Sequence, residues 1–181
     1  MLGPKPIEIE VPNEGLIVSH TDLRGIITYA NDTFQDISGY NGAELIGKPH
    51  NILRHPDMPS SLFENLWDTI KNGRMWSGYV KNKTKNGGYY WVYAQVSSLF
   101  DADGSHIGYK SLRQAVPKTK RNELEESYIT LKEIEEGKMK LNIWVDRLAL
   151  SRLLDESLYQ VDVFEKKLEE ILKAYEANGR P

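Results

Sequence analysis

The chain has 181 residues, with 23 Lys+Arg against 26 Asp+Glu and a formal charge of −3. That length allows one ordinary domain with an extension, or two small domains. The balance excludes the basic face that a nucleic-acid binder or an electrostatically held membrane protein needs. The absence of cysteine excludes disulfides, thiolate nucleophiles, Fe–S clusters, Cys-ligated zinc and thiol adducts. Hydrophobic residues make up 40%, enough to build a core. The N-terminus, Met1-Leu2-Gly3-Pro4-Lys5-Pro6, has no apolar signal region, and no apolar run reaches the roughly 20 residues that span a bilayer. The expectation is a soluble, cytoplasmic protein with no direct membrane insertion.

Elements follow in chain order. Residues 1–13 read as a tail. Leu16–Ser19 and Gly25–Tyr29 are short apolar strands, and Asp22-Leu23-Arg24-Gly25 between them makes a hairpin turn. Asn31-Asp32 starts a helix with Phe34 and Ile37 one turn apart, and Ser38-Gly39-Tyr40 ends it. A single turn at Ala43–Ile46 stops at Gly47, and a loop with two prolines runs from Asn51 to Pro59. Ser60 or Ser61 is expected to cap an amphipathic helix with Leu62, Phe63, Leu66, Trp67 and Ile70 on one face, stopped by Asn72-Gly73. Three strands complete this part: Trp76–Lys83, Tyr89–Leu99 and Ile107–Ala115, joined by turns at Asn86-Gly87-Gly88 and Asp101–Gly104. Lys81, Lys83 and Lys85 alternate along what reads as a solvated strand face.

Composition changes at Pro117. Residues 1–117 hold 12 of the 14 glycines and 7 of the 8 prolines, while 26 of the last 64 residues are charged. Residues 118–181 therefore read as a helical extension, one long helix or a hairpin, softened at Glu136-Gly137-Lys138. Leu124, Tyr128 and Leu131 sit at helical spacing. Leu154, Leu158, Val161, Leu168, Leu172 and Tyr175 fit a heptad seam, which suits either packing on the same chain or a homodimer surface. The order β-β-α-α-α-β-β-β over residues 14–117 predicts an α+β fold. It is a five-stranded antiparallel sheet with helices on one face and a hollow between the layers.

That order, with Ile27-Thr28-Tyr29-Ala30-Asn31, Phe34, Ser38-Gly39-Tyr40 and Glu44-Leu45-Ile46-Gly47, resembles a PAS domain. Asn51-Ile52-Leu53-Arg54-His55-Pro56-Asp57-Met58-Pro59, with Phe63, Trp67, Trp76-Ser77-Gly78 and Lys81-Asn82-Lys83, is similar to the FAD-binding PAS of Aer-type aerotaxis receptors. Those receptors continue through a membrane anchor, a HAMP unit and a methyl-accepting domain. This chain carries none of these, and so resembles the stand-alone PAS half of a bipartite energy-taxis system, whose partner is a chemoreceptor or other signalling protein lacking its own sensor.

The resemblance implies that Arg54, His55 and Asp57 retain a flavin. Arg54 would offer a planar fork to pyrophosphate oxygens, His55 would donate to the same anion or to ribose, and Asp57 would accept ribose hydroxyls or hold Arg54. The plain alternative is an exposed Arg54–Asp57 pair of little energetic consequence. It also implies that Trp76 sits near the ring. Trp67 and Phe63 are wall candidates that suit a core equally well. Asn31 and Asn82 match the donors and acceptors of the flavin pyrimidine, although Asn31 also reads as a helix cap. Ser77 and Tyr93 are further polar candidates.

The implied function is a redox or oxygen sensor for energy taxis, not an enzyme. The alternatives are a haem-binding PAS, with His20, His50 and His106 as the candidate axial ligands, or a cofactor-free interaction module. A flavoenzyme would need a positioned acid or base, which no motif supplies, and a photosensor working through a cysteinyl adduct is excluded by composition.

Overall fold

The computed structural model describes residues 6–136. The heptad positions from Leu154 to Tyr175, and the question of a long helix or a hairpin, lie outside the described residues.

Five strands form one antiparallel sheet: β1 (Ile17–Asp22), β2 (Ile27–Ala30), β3 (Trp76–Lys83), β4 (Tyr89–Phe100) and β5 (His106–Ala115), in the order β2-β1-β5-β4-β3. The β1–β2 turn is tied by Asp22, whose Oδ1 accepts the amides of Arg24 at 2.8 Å and Ile26 at 2.9 Å, with Gly25 at φ 81°. β1 runs three residues further than the apolar run alone suggests, because its polar end Thr21-Asp22 pairs with Tyr109 and Gly108 of β5.

Three helices and a 3₁₀ turn cover one sheet face. Helix α1 (Asp32–Ser38) starts at the Asn31 cap, α2 (Gly42–Leu45) has a reciprocal capping box between Asn41 and Glu44, and the 3₁₀ turn spans His50–Leu53. Helix α3 (Ser60–Lys71) follows. Ile17, Phe34, Leu45 and Leu53 are fully buried between these layers, each contributing on the order of 2 kcal/mol of transfer free energy.

Helix α4 (Lys118–Glu135), the start of the C-terminal extension, packs on the opposite face of the sheet, over Trp91 and Lys81. Lys81 pairs with Trp91 in the ladder and Asn82 with Tyr90, so the two pairs point to opposite faces. Trp91 meets Tyr128 of α4 with ring centroids 5.6 Å apart, and Tyr128 Oη donates to the Tyr79 carbonyl at 2.8 Å. Leu124 and Tyr128 are thereby spent on the chain's own domain. Lys81 corrects the reading of a solvated strand face: it is 4% exposed, its Nζ bonded to Asp57 at 2.8 Å and to Glu125 of α4. Burial opposes its charge, but those two carboxylates outweigh burial and hold its pKa above the usual lysine value.

Residues 7–10 of the N-terminal tail dock on the domain. Ile9 donates its amide to Tyr89 at 2.7 Å, Tyr89 returns one to Ile7 at 3.0 Å, and Glu8 and Glu10 both hold Arg121 of α4. Among the described residues no helix is long and apolar enough to cross a membrane.

Candidate functional site

A cavity of about 770 Å³ lies between α3, the 3₁₀ turn and the inner face of the sheet. Helical spacing turns Phe63, Leu66, Trp67 and Ile70 of α3 toward it, and strand alternation adds Trp76, Val80 and Asn82 from β3 and Tyr109, Ser111 and Arg113 from β5. The walls are apolar and aromatic. Trp76 is 3% exposed and its Nε1 donates to Asn65 Oδ1 at 2.9 Å, which fixes the plane of the indole. Trp67 stands edge-on to Tyr109 at 5.7 Å.

Two glycines make room for these rings. A Cβ on Gly78 would lie 2.6 Å from the Trp76 ring, and one on Gly25 would lie 2.9 Å from Trp67.

One end of the cavity is polar and deeply buried. Arg113 Nη2 donates to Ser19 Oγ at 3.0 Å and to His50 Nε2 at 2.7 Å. The His50 ring is enclosed, stacked 5.8 Å from Phe34, although the residue as a whole keeps some surface. Burial first, and the Arg113 charge second, push His50 down to about 3; burial lowers Arg113 only to about 10. At neutral pH the pair is therefore a neutral imidazole accepting from a guanidinium cation. Arg113 Nη1 and Ser111 Oγ are buried there without a hydrogen-bond partner among the described residues. Tyr90 Oη, which is not among the lining residues, is likewise buried without a partner among the described residues, and burial holds its proton firmly. Buried donors left open at the end of a cavity are what a polar ligand edge satisfies.

The rim carries cations. Arg54 lies 4.5 Å over the Phe63 ring, and its Nη2 donates to Ser60 Oγ at 3.0 Å and to the Met58 carbonyl at 3.4 Å. Lys71 lies 5.6 Å over Trp67.

The sequence-derived set thus divides. Arg54, Phe63, Trp67, Trp76 and Asn82 line the cavity together. Asn31 does not: its Oδ1 accepts the amides of Val18 and Phe34, and its Nδ2 donates to the Leu16 carbonyl, so the amide is consumed by capping. His55 and Asp57 lie outside the cavity too, in the cluster formed with Lys81, Tyr89 and Glu125. His55 Nδ1 accepts the Asp57 amide at 3.2 Å. Burial, then Lys81, holds the ring below the usual histidine pKa, so its 3.3 Å approach to Asp57 is not an ion pair at neutral pH. Ser77 and Tyr93 are not among the lining residues either: strand alternation turns them to the other sheet face. Sequence reasoning missed Arg113 altogether and weighed His50 only as a haem ligand. The available signal was alternation, since Tyr109, Ser111 and Arg113 fall on the inward side of β5.

Residues 27–112 match the family model described as PAS fold, in agreement with the five-stranded sheet and its helices. The chain is 50% identical over 97 residues to the aerotaxis receptor of Escherichia coli (strain K12), covering 54% of this chain and 19% of that protein. It is 26% identical over 106 residues to a nitrogen fixation regulatory protein of Klebsiella pneumoniae, covering 59% of this chain and 21% of that one. The chain thus spans about a fifth of the length of these curated relatives. Among solved structures, the light state of the blue-light photoreceptor Aureochrome1 LOV superposes with a TM-score of 0.51 at 20% identity over 67% of this chain and 90% of that one. A light-oxygen-voltage domain described with a flavin analogue gives 0.52 at 20% identity over 66% of this chain and 87% of that one. These two likenesses establish the fold. The chain thus carries a PAS fold and is similar over that region to an aerotaxis receptor and a nitrogen fixation regulatory protein.

Proposed function

We propose that this PAS domain holds FAD non-covalently in the cavity and acts as a cytoplasmic redox sensor for energy taxis, without catalytic turnover. Its output goes to a chemotaxis receptor or another signalling protein that lacks its own PAS sensor. The observation that carries this reading is the pairing of a slot walled by Phe63, Trp67 and Trp76 with a buried polar end where Arg113 Nη1 and Ser111 Oγ have no partner among the described residues. A flat tricyclic ring with one hydrogen-bonding edge satisfies both features. The volume also suits a small-molecule site, roughly 300–1,000 Å³.

The fit assigns roles to this chain's residues. Arg113 and Asn82 take the pyrimidine edge of the ring, and His50 and Ser19 hold the guanidinium in place. Trp76, fixed by Asn65, forms a wall. Arg54 and Lys71 at the rim supply positive charge for the pyrophosphate. A bound flavin supplies reversible electron transfer coupled to proton uptake, which changes the charge and protonation of its ring. Arg113, charged at neutral pH and buried where the dielectric is low, responds strongly to such a change. Similarity to an aerotaxis receptor supports the taxis assignment.

An absorption spectrum of the purified chain tests the reading. The expected result is the two-banded spectrum of oxidised flavin, bleached by dithionite and restored by air, with FAD released on denaturation. A Soret band, or colourless protein that gains no colour with added FAD, overturns it.

A further inference from the structure

Pro59 stands at the N-cap position of helix α3 and offers no side-chain cap, and neither Ser60 nor Ser61 supplies the expected one. The open amides of the first turn are satisfied from a distant part of the chain. Glu135, in the last turn of α4, accepts the Ser60 amide at 2.8 Å and the Ser61 amide at 2.9 Å, one on each carboxylate oxygen. A carboxylate at a helix N-terminus satisfies orphan donors and the positive end of the dipole together. Two further struts tie α4 to the same loop. Lys132 donates to the Pro56 carbonyl, and Glu125 shares Lys81 with Asp57.

Ser60 joins this seat to the cavity. Its amide is held by Glu135, while its hydroxyl accepts from Arg54, the cation at the cavity rim. Three and seven residues further along α3 come Phe63 and Trp67, two of the cavity walls. The first turn of α3 is thus a shared boundary: one side meets the cavity and the other meets the end of α4.

We propose that Glu135 is a positioning residue for the cavity. By capping α3 from α4 it sets Ser60, and through Ser60 the Arg54 side chain, so that flavin occupancy and the seating of the last turn of α4 are coupled. The inference rests on the flavin reading above. Coupling of this kind is reciprocal: whatever factor the seated helix adds to flavin affinity, flavin adds to the seating of the helix.

The test uses the full chain stripped of cofactor and titrated with FAD, with Glu133→Ala on the exposed side of α4 as the charge-matched control. Glu135→Ala is expected to weaken FAD binding about tenfold relative to Glu133→Ala, equivalent to about 1.4 kcal/mol. Glu135→Gln, which retains one acceptor oxygen, should recover part of the loss. Hydrogen exchange over residues 128–136 should slow when FAD is added to the wild-type chain and should not respond in Glu135→Ala. A helix cap that only stabilises the fold would leave that response intact in the variant. A coloured wild-type chain whose α4 exchange ignores FAD, or a Glu135→Ala variant binding FAD as tightly as the control, overturns the coupling alone. A wild-type chain that takes up no FAD overturns the flavin reading and the coupling with it.

Discussion

Arg113 is the residue on which the site turns. A guanidinium with one edge satisfied by Ser19 and His50 and the other open is tolerable for the empty domain and favourable with an acceptor present. Arg113→Met should therefore cost little stability, since an apolar side chain of similar length replaces a buried and incompletely paired charge. It should weaken flavin binding 10- to 100-fold, the worth of one charge-assisted hydrogen bond of about 1.5–3 kcal/mol. Urea midpoints and flavin titration separate the two effects. Asn31→Ala should show the opposite pattern: about 1–2 kcal/mol of stability lost with the α1 cap, and flavin affinity unchanged. His50 gives a pH signature. Its folded pKa of about 3 lies below the ordinary value of 6.5. Between those values the unfolded chain binds a proton that the native ring refuses, so stability falls as the solution is acidified from pH 6.5. The slope is at most about 1.4 kcal/mol per pH unit. Urea unfolding at pH 7 and pH 5 measures it, and His50→Gln should flatten it.

At the scale of elements, glycine and tryptophan are fitted to each other across the cavity. Gly78→Ala would drive a methyl into the Trp76 ring and push the indole off its Asn65 contact into the space the ligand needs. The expected outcome is a folded protein by circular dichroism, destabilised by about 1–3 kcal/mol through overpacking and lacking flavin absorbance. Nearly every element could be read from the sequence, because each carries its own local signal. Asn31 and Asn41 mark helix starts, Gly39 and Gly73 mark stops, and alternation marks β3 and β5. What could not be read depends on contacts distant in the chain. Nothing local says that Glu135 caps α3, that Arg113 reaches His50, or that Lys81 is buried under α4. The Arg54–Asp57 stretch shows the same limit. Its composition suggests one binding loop, yet its residues serve two places, with Arg54 on the cavity and His55 and Asp57 in the outer cluster with Lys81.

For the molecule as a whole, the sheet separates a chemical face from a mechanical one. The cavity side holds the small, polar-ended slot. The far side holds α4, fastened by Trp91, Lys81 and the loop before α3, with residues 7–10 clamped to Arg121 beside it. The strand order β2-β1-β5-β4-β3 also bears on how this protein can be cut. The family-model match opens at Ile27 and closes at Leu112. A fragment trimmed to those limits would strip away β1, leaving β2 with no neighbour to pair with, and would stop one residue short of Arg113. A fragment meant to stand alone therefore has to reach outward past both ends of that match, far enough to close the sheet and to include the guanidinium at its buried end.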